Sequence, residues 1–117
     1  MATVTLTTSV NNTTSGQLFS SSKTLGTTGA DIDVRHTEIG TTEEEITISA
    51  DVGDAAFVWI KNCDEDNYIQ IGFATGVYNI RIPAGVSNLV SLDPATSSLF
   101  MKANTAACMV TMYFQEA

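Results

Sequence analysis

The sequence predicts an all-β domain, a sandwich or barrel of eight to ten short strands. Three observations carry that expectation. Apolar and polar residues alternate with a period of two in several separate segments, as in residues 2–10, where Ala2, Val4, Leu6 and Val10 interleave with threonines and serine. Turn signals rich in Gly, Pro, Asn and Asp recur at the short spacing of such folds. No segment carries the 3.6-residue period of an amphipathic helix.

Taken in order, residues 1–10 read as a half-buried strand, 11–16 as a turn and 17–25 as a weakly patterned stretch around a serine run. Residues 26–30 form a Gly/Thr loop. Residues 31–39 read as an edge strand because of their charges, with Ile32 and Val34 inward. A polar link holding Glu43, Glu44 and Glu45 leads into a one-sided strand carrying Ile46, Ile48 and Ala50. Beyond the centre, Tyr78, Ile80 and Ile82 share a face, and Pro83-Ala84-Gly85 makes a turn. Residues 88–92 form a short strand that Asp93-Pro94 ends. Leu99, Met101 and Ala103 line the next strand. The last places Cys108, Val110, Met112 and Phe114 on one side and apolar residues on the other as well, so it belongs between neighbours.

The centre of the chain is residues 56–73, two β-branched and aromatic runs flanking Cys63-Asp64-Glu65-Asp66. The pattern predicts a β-hairpin with Asn62 facing Asn67, Ile60 against Ile69 and Val58 against Ile71. Its other face then carries Phe57, Trp59, Lys61, Tyr68 and Gln70. Burying Lys61 and Gln70 inside one chain would be costly, so these five residues are the candidate subunit interface.

Composition sets the bounds on function. A chain of 117 residues is one domain, with the Thr/Ser-rich residues 1–40 preceding a core sandwich at 41–117. Charged residues are only 15%, and 13 acids against 5 bases leave a net charge of −8. That balance argues against binding a nucleic-acid backbone or an anionic membrane surface. No apolar run approaches the roughly 20 residues of a transmembrane helix, and the first ten residues lack the features of a secretory signal, which predicts folding in a cytoplasm. Cys63 and Cys108 are too few for a disulfide scaffold and are expected as free thiols.

Candidates for chemistry are few. His36 has no nucleophile motif beside it and reads as a surface histidine. Asp64, Glu65, Asp66 and Asn67 offer oxygen ligands, but they are consecutive and fit no calcium-loop spacing, so a solvated hairpin tip is the better reading. The three glutamates read as a solvated link. Trp59, Tyr68 and Tyr78 could form a sugar-stacking platform, although residues inside strands more often pack in a core or interface. The expectation is no catalytic residue, no metal and no cofactor.

The second half resembles small structural proteins of tailed bacteriophages. The features that carry this are Lys61-Asn62 at a strand end, the acidic turn closing on Asn67, and Gly72. They continue with Ile80 through the Pro83-Ala84-Gly85 turn, Leu89 to Leu92, Met101-Lys102-Ala103, and the close from Tyr113 to Glu116. The resemblance covers residues 41–117 and implies an antiparallel β-sandwich of jelly-roll type. It also implies a virion protein, made in the host cytoplasm, that decorates or cements a capsid, or else belongs to a neck, tail or fibre attachment. Its partners would be copies of itself, with a trimer favoured by the two-sided apolar strands, and a major capsid or other virion protein. The expectation from a different class is a carbohydrate-binding β-sandwich module using Trp59.

Overall fold

The computed structural model describes residues 1–93 and 98–117. Ten strands and no helix are present among them: β1 (Ala2–Asn12), β2 (Gln17–Thr27), β3 (Ile32–Ile39), β4 (Glu44–Thr47), β5 (Ala55–Asn62), β6 (Ile69–Gly72), β7 (Ile80–Ile82), β8 (Ser87–Ser91), β9 (Ser98–Ala103) and β10 (Cys108–Glu116). The Pro94 half of the expected Asp93-Pro94 strand end lies outside the described residues.

The all-β expectation is met, and the strands form two four-stranded sheets plus a two-stranded ribbon. Sheet I has the order β3-β10-β5-β8 and sheet II the order β4-β9-β6-β7, with every pairing antiparallel. The pairs β3·β10, β4·β9, β5·β8 and β6·β7 match the first half of the sandwich strand for strand with the second. The chain is thus one long antiparallel ribbon turned back at β6–β7 and rolled into two sheets, which is the jelly-roll order.

The core lies between the sheets, because one face of each strand is apolar. From sheet I come Val58 and Ile60 of β5 and Cys108, Val110, Met112 and Phe114 of β10; sheet II contributes Ile69, Ile71, Ile82, Leu99 and Met101. As expected, β10 is buried between two neighbours and Leu99, Met101 and Ala103 point inward.

Residues 56–73 do not form a hairpin. β5 pairs with β10 and β8, whereas β6 pairs with β7 and β9. Ile60 and Ile69 both lie at 0% exposure, facing each other's sheet across the core rather than lying side by side. The physical reason is that one alternation serves two geometries. An apolar face can be buried beside the next strand or beneath it, and residues 63–68 are long enough to arch between sheets.

Asn62 and Asn67 do meet, through the Asn62 side chain. Its Nδ2 donates to the carbonyls of Asn67 (2.8 Å) and Ile82 (3.1 Å), and its Oδ1 accepts from the Asp64 N–H (3.0 Å). Asn62 is fully buried, and all its polar atoms are used.

β3 is an edge strand, as expected, but its inward residues are not Ile32 and Val34, which are 50% and 60% exposed. Ile39 enters the core, so alternation turns Asp33, Arg35 and Thr37 inward instead. Asp33 and Arg35 pair at 2.7 Å, Arg35 also donates to the Thr47 carbonyl, and its guanidinium lies over the Phe114 ring. Gly72 is required by a close approach: a Cβ there would overlap the Val77 carbonyl oxygen.

The sandwich starts at β3, not at residue 41. Before it, β1 and β2 form an arm of two eleven-residue strands, joined by a turn at Gly16 (φ 74°) that the Asn12 side chain caps. At about 3.3 Å per residue each strand spans roughly 36 Å. The root of the arm is fastened to the end of β10, with Gly29 donating to the Ala117 carbonyl and Glu116 to the Asp31 carbonyl.

Candidate functional site

The candidate interface divides between two surfaces, because its strands belong to different sheets. Phe57, Trp59 and Lys61 lie on the outer face of sheet I, and Tyr68 and Gln70 lie with sheet II. On sheet II, Arg81 covers the Tyr68 ring at 4.0 Å and Lys102 covers Tyr78 at 4.8 Å. Trp59, Tyr68 and Tyr78 therefore share no stacking platform.

On the outer face of sheet I the register forms cross-strand rows. Ile32, Gln115, Phe57 and Ser91 make one, Val34, Tyr113, Trp59 and Leu89 the next, and His36, Thr111, Lys61 and Ser87 the third. The middle row is an aromatic and aliphatic band, and Phe57 stacks on Tyr113 with centroids 6.1 Å apart. Such a face would normally be solvent-exposed on a sandwich. Here Phe57 is only 3% exposed and Trp59 is half-buried, because the root half of the arm lies against this face.

The arm is two-faced. Thr5 meets Thr24 (3.0 Å) and Thr7 meets Ser22 (3.2 Å) in a hydroxyl ladder on one side. The other side carries Ala2, Val4, Leu6 and Val10 with Leu25 and Phe19 opposite. Ala2, Val4, Leu6 and Leu25 are half-buried near the root. Val10 and Phe19, cross-strand partners near the tip, are 65% and 66% exposed, against the inward position expected for Val10. Between arm and sheet lies a cleft of about 1000 Å³, bordered by residues 4–9 of β1 and by Val34, Phe57, Trp59, Leu89 and Tyr113 among others.

The arm also differs in charge. All 13 acids and four of the five bases lie at 31–117, which makes that part −9, while residues 1–30 hold only Lys23 and are +1.

The remaining candidates for chemistry fall elsewhere. His36 Nδ1 and the exposed Cys63 Sγ both contact Thr111 Oγ1, at 2.7 and 3.5 Å. Both cysteines are free, and burial pushes the Cys108 thiol upward. Among the described residues no three His, Cys, Asp or Glu side chains gather as a metal site. The Asp64 carboxylate accepts from the backbone N–H groups of Asn67 and Asp66, and those bonds hold it below the usual carboxylate range. Glu43 is not merely solvated: it accepts from the Gly76 N–H and from the Tyr78 hydroxyl, which lowers its own pKa and pushes Tyr78 up to about 12.

Sequence reasoning missed the cleft because one wall comes from residues 4–9 and the other from residues scattered between Val34 and Tyr113. The even-numbered apolar series of β1 was read as a half-buried strand; the unused signal was its match with Phe19 and Leu25 across the 13–16 turn. No protein-family model, no curated protein and no solved structure matches this chain.

Proposed function

We propose that this chain is a non-enzymatic structural protein of a bacteriophage virion, one that decorates or cements the capsid by assembling with copies of itself and with a shell protein. The observation that carries the reading is the arm: a ribbon fastened at its root to an acidic jelly roll and bare of any covering on its apolar tip. Exposed apolar side chains gathered on a projecting element mark a contact surface. The residue pattern of 41–117 supplies the virion setting, and a small acidic module suits a repeated surface role. A neck, tail or fibre-attachment position follows from the same features.

Imaging intact particles with this chain labelled tests the reading. A regular array over the head supports decoration, and label at one vertex or along the tail moves the chain there. Absence of the chain from purified particles overturns the virion role. The cleft favours one reading of another class, a carbohydrate-binding module, since Trp59 and Tyr113 stand beside Thr5, Thr7, Ser87 and Asn88 in its lining. Binding to one sugar class on a glycan array, lost with Trp59→Ala, would support it.

A further inference from the structure

We propose that the cleft between the arm and sheet I is the docking groove for the arm tip of a second copy of this chain. The tip adds as a strand along the free edge of β1, with its Val10 and Phe19 set against Trp59 and Tyr113. The inference rests on the self-assembling reading above and names its contact.

Consecutive residues 4–9 border the cleft. No residue of β2 borders it, so among the described residues the cleft opens from β1 toward sheet I on the side away from β2. Among the described residues β1 pairs only with β2, which leaves its other edge's N–H and C=O groups as a template for an added strand. The floor is the Trp59 and Tyr113 row, with Phe57 stacked behind it. One copy therefore offers backbone hydrogen bonds and an aromatic floor side by side.

The arm tip has the complementary needs. A two-stranded ribbon is marginally stable in water and requires a further surface to pack against. The root half finds one on its own sheet I, but Val10, Leu18 and Phe19 remain 63–66% exposed. Charge selects the occupant. Two bodies of −9 repel, whereas an arm of +1 with no acid meets the body of another copy without like-charge contact. A tip-to-cleft contact joins different surfaces of the two copies, so it saturates only when the copies close into a ring.

Sedimentation of the isolated protein and of the double variant Val10→Asp with Phe19→Asp gives the first arm of the test. Wild type should self-associate, and the variant should weaken association at least about tenfold with an unchanged melting temperature, as expected for truncating exposed anchors. The second arm mixes two singly substituted proteins in a Cys63→Ser background, one tagged and carrying Ser20→Cys, the other untagged and carrying Asn88→Cys. Mild oxidation should link tagged to untagged chains. A wild type that is monomeric at millimolar concentration overturns the proposal. So does association that survives the double aspartate variant, or an associated mixture that yields no cross-linked pair. Tip-dependent association by a chain missing from particles would sink the virion reading alone. A monomer arrayed on heads would sink this one, and the self-assembly with it, while leaving the virion role.

Discussion

Replacing Asn62 with alanine removes three hydrogen bonds from a fully buried side chain. The bond to the Ile82 carbonyl is wholly buried, and losing it costs about 1–3 kcal/mol because an acceptor is left without its partner. The bonds to the Asn67 carbonyl and from the Asp64 N–H are partly buried, worth about 0.5–1.5 kcal/mol each. The expected loss is therefore about 2–6 kcal/mol. With an unfolding entropy near 2.1 cal/mol/K per residue, that lowers the melting temperature by roughly 8–24 °C. Urea and thermal melts of Asn62→Ala should both report it, with Glu65→Ala, at the exposed tip of the same loop, staying within about 0.5 kcal/mol of wild type. Asn62→Asp should be worse than alanine, since it keeps the acceptor for Asp64 but turns a carboxylate toward two carbonyls. A loss below about 1 kcal/mol for Asn62→Ala would refute the view that this side chain locks the arch between the sheets.

Trp59→Ala should weaken assembly by more than about 2 kcal/mol while the monomer keeps its melt; melting and sizing in parallel decide, and a lost melt would make Trp59 ordinary core. Gly72→Ala drives a methyl into the Val77 carbonyl and should cost at least about 2 kcal/mol, so an unchanged urea midpoint would contradict the close approach. Hydrogen bonding to Arg35 holds the Asp33 carboxyl low. A depressed folded pKa contributes stability that is present above the unfolded value of about 4 and is lost as pH falls through the folded one. The advantage of wild type over Asp33→Asn should therefore shrink with acidification, and an advantage that grows toward low pH would reverse the assignment. Tyr78 has the opposite sign, because its raised pKa favours the folded state while the hydroxyl stays protonated. Its advantage over Tyr78→Phe should be full below about pH 10 and fade as pH rises toward about 12; alkaline melts of the pair would show it.

The strands were legible because period-two alternation is a local property. Cys108, Val110, Met112 and Phe114 all lie at 0% exposure on one face of β10, as their spacing implied. Sheet membership was not legible, since alternation says which way side chains point and not whether the next strand lies beside or beneath. β5 and β6 show the cost of that ambiguity, and it carried the candidate interface with it. β3 shows another limit. Ile32 and Val34 are as apolar as Ile39 but have the opposite parity, and only one parity can face the core. A half-buried ion pair that takes the inward places of aliphatic residues is a tertiary arrangement no local pattern announces.

The acid excess has a source in the loops. Carboxylates accept hydrogen bonds and never donate, and loop backbones between antiparallel strands carry N–H groups that no ladder satisfies. Asp33 accepts from Ser49, Glu43 from Gly76, Glu44 from Gly40, Asp64 from Asp66 and Asn67, and Glu116 from Asp31. Each of these bonds closes a turn or ties a connection to a neighbouring strand, work for which Lys and Arg have no acceptor to offer. The jelly roll, built from many short connections, collects acids by this route. The arm has one turn, and there an asparagine supplies the acceptor, so the arm stays free of negative charge. Five of the thirteen acids serve the body in this way, so part of the charge contrast between arm and body follows from how each is closed. The contrast leaves the arm able to approach the acidic body of another copy.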